Sequence, residues 1–497
     1  MKNNVFLIRT YVPIGIGGPV PSLELLYVAS ELHHRFPEKY NIKIIDMGLE
    51  GNSLENIQNE IELNQPMALC LHALAWEAGL VHKIAAIAKQ KYANGIVIVF
   101  GQLATVAHQH ICEDHNIDYV ILGEPEWAMP ALMEALSAQT DTSHIPGLVY
   151  KNSTGDIVRQ DPVYPDDIDS LMISSFAWDL IDIHTYAQYS NWNGAIKEKF
   201  YVPILTSRGC PFNCTYCYEN YDKRFRARSP ESVVSEIRFL KEKFQVQEIH
   251  VFDSVFNYDL ERAKAICRLI IDSGLSISLA FPHGIRVDRM SDELLSLLKQ
   301  AGTYKVVYGI ETAVPRLQKV IRKNLDLSQA RDIISKTAQT GIITGGYFML
   351  GFPSETLEEM EQTIDFAVKS DLDVAAFFKA TNYDFIKDIY KTELSHVLSQ
   401  EQGASHFQDV SYFSKKGSQS GIPVSVLNQM ISKAQRRFYL NARRFWRGLK
   451  KYPNKFVYLN NFLNALGLIL QAQLINSLGT EEPVNPAKSR SEKQEHV

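Results

Sequence analysis

Three cysteines that stand close together constrain this protein more than any other feature of its sequence. Cys210, Cys214 and Cys217 have C-x3-C-x2-C spacing and follow an apolar run, residues 201–205, that is typical of a β-strand. Thiolates this close cannot all pair as disulfides, but a short loop can wrap them around one inorganic cluster. A [4Fe–4S] cluster normally takes four cysteine thiolates, so three ligands leave one iron open to a small molecule.

A structural zinc site is the alternative for this cysteine loop (residues 207–218). Zinc in a structural site takes four protein ligands at short spacing. The nearest other cysteine is Cys267, far along the chain, and no histidine lies close to the loop. The ligand count therefore favours an iron–sulfur cluster.

The cysteine spacing, together with Tyr216 just before the third cysteine, resembles the signature loop of the radical S-adenosylmethionine (SAM) enzymes. This resemblance implies that Cys210, Cys214 and Cys217 hold the [4Fe–4S] cluster and that Tyr216 lies near the cofactor. It also implies that the open iron chelates the amine and carboxylate of SAM. Electron transfer then cleaves SAM to a 5′-deoxyadenosyl radical.

Composition and charge exclude several other classes of protein. A chain of 497 residues with 45% hydrophobic and 22% charged residues is an ordinary globular protein of two or three domains. A net charge of −5 argues against a nucleic-acid binder. The N-terminus has no cleavable signal pattern, and no segment is a membrane-span candidate. Free thiols and an oxygen-labile cluster fit a reducing compartment, so we expect a cytoplasmic protein.

Strand and helix patterns alternate through the N-terminal third of the chain. The predicted strands are residues 4–9, 41–47, 67–72, 96–100 and 119–122, with helical patterns between them. Such alternation predicts an α/β fold with a doubly wound, parallel sheet. Ligands of these sheets lie beyond the carboxyl ends of the strands.

Glycines stand at those carboxyl ends, namely Gly17, Gly18, Gly101 and Gly123, the last followed by Glu124. They serve either close approach to a ligand or simple turn formation. The segment resembles the cobalamin-binding domain that precedes the barrel in class B radical SAM methyltransferases, and this resemblance implies that these five residues contact cobalamin. The D-x-H-x-x-G motif of other cobalamin proteins is absent, so the cobalt would lack a protein imidazole, unless the domain has lost the cofactor.

Six further strand–helix units follow the linker, beginning with the strand that leads into the cysteine loop. The strands are predicted at 202–205, 248–252, 276–281, 305–309, 345–350 and 374–379. This pattern matches the partial (β/α)6 barrel of the radical SAM family. The predicted layout is a cobalamin-binding-like domain (1–140), a linker (141–195), the barrel (196–385), a mainly helical C-terminal cap or substrate region (386–478) and a disordered tail (479–497).

The resemblance assigns cofactor contacts to four more residues at the ends of barrel strands. Asp253, Arg286 and Glu311 are expected beside SAM, and the backbone around Gly351 is expected to hold its adenine. A salt bridge at the rim of the barrel is the alternative for the three charged residues. The run 224–228 carries three arginines, and we expect at least two of them to be solvated.

The C-terminal region combines a basic stretch with an apolar one. Residues 433–455 contain nine lysines and arginines and no acid, and residues 456–478 are apolar but broken by six amides. This pattern fits a helical cap on the barrel or a peripheral contact with an anionic membrane. The many amides favour the cap.

The sequence thus predicts a cobalamin-dependent radical SAM enzyme that transfers a methyl group to an unactivated carbon of a small molecule. A reductant such as flavodoxin or ferredoxin is expected as its partner. One alternative is a non-methylating radical oxidation, cyclisation or rearrangement on the same scaffold. Another is a cobalamin-binding or iron–sulfur sensor without turnover.

Overall fold

The computed structural model describes residues 2–12, 18–74, 77–190, 196–217, 222–352, 354–380, 422–456, 458–459 and 462–463. Its N-terminal sheet contains five parallel strands, as predicted: β1 (Asn3–Arg9), β2 (Tyr40–Asp46), β3 (Ala68–His72), β4 (Ile96–Phe100) and β5 (Tyr119–Ile121). A hairpin of β6 (Leu148–Lys151) and β7 (Ile157–Arg159) pairs antiparallel with β5. The strand order is β2-β1-β3-β4-β5-β6-β7, so this hairpin, which the sequence division placed in the linker, extends the sheet.

Helices cover both faces of this sheet. They are α1 (Leu23–Arg35), α2 (Leu54–Asn64), α3 (Ala78–Lys91), α4 (Gln102–Glu113) and α5 (Pro125–Ala138). Along β1, Val5 and Leu7 join the apolar core under α1 and α5, whereas Phe6 and Ile8 join the core under α2, α3 and α4. Burial on both faces explains why the strands are continuous apolar runs, and it confirms the doubly wound fold.

The linker packs into the core that the two domains share. Its helices are α6 (Ser175–Asp179) and α7 (Ala187–Ser190). Trp178 of α6 is fully buried, and its ring centroid lies 6.2 Å from that of Phe244 in the barrel. Ser174 at the start of α6 donates its backbone N–H to Ser30 Oγ on α1 at 2.9 Å. The linker therefore joins the N-terminal domain to the barrel by packing as well as by sequence.

The barrel sheet consists of six parallel strands: β8 (Val202–Ile204), β11 (Glu248–Val251), β12 (Ser278–Ile285), β13 (Thr303–Glu311), β14 (Ile343–Leu350) and β15 (Val374–Lys379). Two short strands, β9 (Ser207–Arg208) and β10 (Arg226–Ala227), pair antiparallel on either side of the cysteine loop. The outer helices are α8 (Pro230–Phe244), α9 (Leu260–Asp272), α10 (Asp292–Gln300), α11 (Pro315–Val320), α12 (Leu327–Gln339) and α13 (Leu357–Lys369). Consecutive strands are neighbours throughout, which is the order of a partial βα barrel.

Two C-terminal helices, α14 (Val424–Tyr439) and α15 (Ala442–Lys451), pack against the last strand of the barrel. Leu427 and Phe438 of α14 are fully buried, and the Tyr439 hydroxyl donates to the Ala375 carbonyl at 2.8 Å. The buried Arg444 donates to the carbonyl of Leu372 at 2.9 Å. These contacts confirm that the region has helical content against the barrel. Two parts of the predicted cap or substrate region (386–478), residues 386–421 and 464–478, lie outside the described residues, as does the tail. None of the described helices has the length and hydropathy of a membrane span.

Candidate functional site

The cysteine loop begins directly after β8, at the carboxyl end of the first barrel strand. Gly209 has φ +77°, and a Cβ on it would lie 2.0 Å from the Arg224 carbonyl oxygen, so only glycine fits where the chain enters the loop. Arg208 of β9 and Arg226 of β10 are opposite each other in this antiparallel strand pair, which closes the base of the loop. The loop therefore occupies the barrel edge where reactive residues of βα barrels lie.

None of the described cysteines, the three of the loop included, forms a disulfide. Cys214 is buried, while Cys210 and Cys217 are partly exposed. The loop is held by a turn, with the Cys217 N–H donating to the Cys214 carbonyl at 3.3 Å, and by the Thr215 N–H, which donates to the Ile321 carbonyl at 3.0 Å. Within the described ranges, no group of three His, Cys, Asp or Glu side chains converges at metal-binding distance. The donor chemistry, three thiols on one loop that form no disulfide, fits an iron–sulfur cluster with one open iron.

Tyr216 is linked to Glu311 through a lysine. Lys323 Nζ donates to Tyr216 Oη at 3.0 Å and to Glu311 Oε1 at 2.9 Å. Burial, followed by the nearby Glu311 carboxylate, raises the pKa of Tyr216 well above its usual value. Glu311 has φ +67°, an unfavourable conformation for a non-glycine residue, at the carboxyl end of β13. The structure thus brings together two residues that the sequence predicted beside SAM.

Arg286 also lies at this edge of the barrel. Its guanidinium is bidentate to Asp288, with both N–O distances 2.9 Å, and its Cζ lies 3.7 Å from the centroid of the Phe212 ring in the cysteine loop. Burial lowers the pKa of Arg286, but the hydrogen bond and charge of Asp288 outweigh burial and raise it overall. The rim salt bridges named as the alternative are therefore present for Arg286 and Glu311, and contact of either residue with SAM stays a prediction.

Asp253 is turned toward the start of the cysteine loop. Its carboxylate accepts hydrogen bonds from the Thr206 N–H at 2.6 Å, the Thr206 hydroxyl at 2.5 Å and the Ser207 hydroxyl at 2.6 Å. The residue is 1% exposed. Its observed contacts therefore hold the residues that lead into the loop, and its predicted contact with SAM stays untested.

Gly351 follows β14 with φ +95°, and a Cβ on it would lie 2.8 Å from Leu427 of α14. Glu355 organises this turn, because its Oε2 accepts the N–H of Gly351 at 2.5 Å and that of Phe352 at 2.9 Å. Burial raises the pKa of Glu355 to about 7. The predicted adenine-binding turn is thus held by a buried carboxyl group and packed by the C-terminal cap.

The glycines of the N-terminal sheet contact other parts of the chain. A Cβ on Gly18 would lie 2.6 Å from the Cβ of Tyr189, and one on Gly123 would lie 2.8 Å from the Tyr164 hydroxyl. At Gly101, which has φ +93°, it would lie 2.7 Å from His72 Cδ2. Gly17 lies outside the described residues. The linker tyrosines therefore explain Gly18 and Gly123 without a ligand, and cofactor contact at these glycines stays a prediction.

Glu124 lies in a buried cluster of charged side chains between the two domains. Together with Glu126 it forms a buried arginine–glutamate clamp with Arg208 and Arg226 of the barrel. The clamp engages the Glu124 carboxylate, and contact of this residue with cobalamin stays a prediction. The expectation that at least two of the three arginines at 224–228 are solvated is wrong: Arg226 and Arg228 are buried in ion pairs, and Arg224 alone is exposed. Arg226 pairs with Glu124, which is distant in sequence, whereas Arg228 pairs with Glu236 of the helix that follows.

Sequence reasoning missed Lys323, Phe212, Glu126, Asp288 and Glu355 at this site. Lys323 lies between Arg322 and Asn324, both with positive φ, and this unusual backbone places its ammonium group between Tyr216 and Glu311. No motif in the chain marks such a conformation. Glu126 could have been found, because it stands two residues after Glu124 in the same turn.

Comparison with known proteins identifies the family of this chain. Residues 204–367 match the model of the Radical SAM superfamily. An uncharacterized methyltransferase from Pyrococcus horikoshii is 33% identical over 373 residues, which cover 74% of this chain and 77% of that protein. The chain belongs to the radical SAM superfamily. The prediction of a radical SAM enzyme is confirmed, and membership implies a [4Fe–4S] cluster and SAM as its cofactors.

Two further relatives of this radical SAM protein carry different names. The cytidylyl-2-hydroxyethylphosphonate methyltransferase of Streptomyces wedmorensis is 27% identical over 415 residues, 75% of this chain and 76% of the relative. The anaerobic magnesium-protoporphyrin IX monomethyl ester cyclase of Cereibacter sphaeroides is 23% identical over 448 residues, 87% of this chain and 70% of the relative. The superfamily is therefore clear, whereas the reaction differs among relatives.

Solved structures share the fold across both domains. TsrM, a radical SAM methyltransferase from Kitasatospora setae with cobalamin and a [4Fe–4S] cluster bound, has a TM-score of 0.62 at 20% identity over 76% of this chain and 72% of that one. OxsB, a cobalamin-dependent SAM radical enzyme with aqua-cobalamin and SAM bound, has a TM-score of 0.62 at 16% identity over 87% of this chain and 61% of that one. The predicted resemblance to this class is confirmed at the level of the fold.

Proposed function

We propose that this protein is a cobalamin-dependent radical SAM methyltransferase that acts on an unactivated carbon of a small-molecule substrate. The observation that carries the proposal is the clamp, which joins the Gly123–Glu124 turn of the N-terminal sheet to the arginines on both sides of the cysteine loop. Cobalamin bound at the carboxyl edge of that sheet would lie next to the barrel mouth. Methyl transfer needs this proximity of the two cofactor sites.

The cysteines Cys210, Cys214 and Cys217 would hold the cluster. When bound, the cluster and SAM supply a hydrogen-abstracting radical, and cobalamin supplies a transferable methyl group. The residues of this chain bind and orient these groups. Tyr216 of the cysteine loop packs against the apolar cluster that contains Phe352, which gives this side of the loop an apolar support.

Charged side chains at the mouth suit the amino-acid part of SAM. Asp288 takes the Nε–Nη2 edge of the Arg286 guanidinium, so the carboxylate of SAM would bind at its Nη1 group. Glu311 offers an acceptor for an ammonium group, and Lys323 holds the Glu311 carboxylate against Tyr216. The turn at Gly351 and Phe352, fixed by Glu355, supports the proposed adenine contact.

A one-electron donor of the flavodoxin or ferredoxin type is proposed as the physiological reductant. Cys210 and Cys217 are partly exposed, so one side of the loop is open to a partner. Chemical reduction by dithionite would replace this partner in vitro.

The deciding experiment is anaerobic reconstitution with iron, sulfide and hydroxocobalamin, followed by optical spectroscopy and incubation with SAM. We expect a bound-cobalamin spectrum and 5′-deoxyadenosine after reduction. When the protein is incubated with methyl-deuterated SAM and mixtures of candidate small-molecule substrates, S-adenosylhomocysteine and a deuterium-labelled product should form together. A spectrum without bound cobalamin would overturn the assignment of the N-terminal domain while leaving the barrel assignment intact.

A non-methylating reaction is the second candidate. The relative from Cereibacter sphaeroides, which covers 87% of this chain, is named a cyclase. Deoxyadenosine formed in step with product, without S-adenosylhomocysteine or label transfer, would favour it. Failure of the reduced, reconstituted protein to cleave SAM would favour a sensor without turnover.

A further inference from the structure

The arginine–glutamate clamp is a set of four charged residues buried between the two domains. Arg208 Nη1 lies 3.2 Å from Glu124 Oε2 and also contacts Glu126, and Arg226 Nη1 donates to Glu124 Oε2 at 3.2 Å. The four side chains are at most 3% exposed. Two positive and two negative groups balance, so the set is neutral as a whole.

The clamp is attached to the cysteine loop at both of its ends. Arg208 precedes Cys210 by two residues, and Arg226 is its partner in the β9–β10 pair. The three cysteines therefore lie between two arginines whose side chains reach into the N-terminal domain. Any shift of either arginine moves one end of the loop.

The glutamates stand on a rigid support. Glu124 is the residue that precedes the first turn of α5, and Pro125 and Glu126 lie in that turn, where an acid interacts favourably with the helix dipole. Arg208 is further fixed by the ring of Tyr27 on α1, whose centroid lies 4.9 Å from its Cζ. Both helices that touch the loop base therefore belong to the N-terminal domain.

A buried ion pair is weak support for overall stability, but removing one partner leaves an uncompensated buried charge and is strongly destabilising. The clamp therefore fixes geometry more than it adds stability. The glutamates that pair with Arg208 and Arg226 belong to the N-terminal domain. The conformation at the base of the loop thus depends on docking of the N-terminal domain.

We propose that Glu124 and Glu126 are positioning residues for the cysteine loop, so that SAM binding in the barrel depends on docking of the N-terminal domain through the clamp. This inference rests on membership in the radical SAM superfamily and is independent of cobalamin and of methyl transfer. It assigns the Gly123–Glu126 turn a role in the barrel's own cofactor site. Such coupling gives the N-terminal domain control over radical formation.

The test compares Glu124→Gln/Glu126→Gln with Glu236→Gln in the full chain, reconstituted anaerobically with iron and sulfide only. Glu236 is a matched control, because its buried ion pair with Arg228 is equally unexposed but does not involve the clamp. The measurements are iron per chain, the unfolding temperature, and the electron paramagnetic resonance (EPR) spectrum of the reduced cluster during titration with SAM.

We expect the double variant to need about tenfold more SAM than the wild type for the SAM-dependent spectral change, equivalent to about 1.4 kcal/mol. The control should titrate like the wild type even though its unfolding temperature falls. Selective loss of iron from the double variant would also support the clamp's action on the loop. Equal SAM titrations and iron contents in the double variant and the control would overturn the proposal.

If the double variant does not fold, Glu126→Gln and Glu126→Asp replace it. The Asp variant keeps a carboxylate facing Arg208, so it should recover most of the SAM response that the Gln variant loses. Identical titrations for the Gln, Asp and wild-type proteins would overturn the proposal equally.

Discussion

The two parallel sheets each carry a buried glutamate at the carboxyl edge, but they surround it differently. Glu77 accepts the N–H of Leu74 at 2.8 Å and that of Val12 at 3.2 Å, much as Glu355 does in the barrel. Burial raises the pKa of both carboxyl groups to about 7. Both glutamates thus organise backbone turns at a ligand-binding edge.

The difference lies in the neighbouring charges. The barrel edge places Lys323, Glu311 and Arg286 around the mouth, a set suited to a zwitterionic amino acid. The edge of the N-terminal sheet places Gly101 against His72 and packs Gly123 against a linker tyrosine. We therefore propose that the barrel edge recognises charge, whereas the N-terminal edge binds its ligand by close backbone approach.

The largest expected effect concerns the cysteine loop. Cys214→Ala should abolish SAM cleavage, a loss of about a thousandfold or more, because the open-iron cluster needs all three thiolates. Cys267→Ala is the control, since Cys267 is buried on α9 and away from the loop. It should lower stability and leave 5′-deoxyadenosine formation per iron unchanged. A Cys214→Ala protein that still cleaves SAM would contradict the assignment of the ligands.

The second prediction tests recognition of charge at the barrel edge. Lys323→Met leaves the Glu311 carboxylate without its ammonium partner beside Tyr216, so SAM cleavage should fall about 10- to 100-fold through weaker SAM binding. Lys336→Met is the control, because Lys336 is a surface lysine paired with Asp292 at 3.0 Å. Steady-state kinetics with varied SAM separates a change in KM from one in kcat. If Lys336→Met lowered SAM cleavage as much as Lys323→Met, the proposed role of Lys323 in SAM binding would be contradicted.

The third prediction concerns the two matched glutamates and pH. The ordinary pKa of a glutamate is 4.5, whereas burial raises the pKa of Glu77 and Glu355 to about 7. The protonated carboxyl groups therefore favour the folded state fully below pH 4.5. This part of the free energy of unfolding is lost as pH rises through 7. Glu355→Gln should remove the barrel's share of this loss, about 2 kcal/mol, as measured by urea unfolding at pH 5 and pH 8.

Glu358→Gln provides the control for that experiment, because Glu358 is exposed on the first turn of α13. It should follow the pH dependence of the wild type. Equal slopes for Glu355→Gln and Glu358→Gln would show that Glu355 ionises normally in the folded protein.

The smallest expected effect tests backbone approach at the N-terminal edge. Gly101→Ala and Gly155→Ala both place a side chain at positive φ, which costs about 1 kcal/mol, but a Cβ meets His72 at Gly101 and nothing within 4 Å at Gly155. Only Gly101→Ala should lower the cobalamin retained after gel filtration, by severalfold. Equal cobalamin retention in the two variants would mean that Gly101 serves the turn alone.

Periodicity and motifs predicted the order and type of the strands in both sheets, because these depend on local patterns of apolar residues. The same patterns could not show that Glu124 pairs with Arg226, because the partners are about a hundred residues apart and each stands in an unremarkable charged stretch. The position of Lys323 depends on two left-handed residues that no local preference specifies. The resemblance predicts cofactor contacts at Gly18 and Gly123, but the residues packed against them, Tyr189 and Tyr164, lie in the linker.

The β6–β7 hairpin has a consequence for dividing the protein into fragments. It covers the open side of β5, and an uncovered strand is a template on which another chain can pair. A fragment that stops at residue 140 would leave β5 bare and self-associate, whereas one that continues past Arg159 would keep the strand shielded. The hairpin thus protects β5 from pairing with another chain, and the smallest soluble N-terminal fragment should include it.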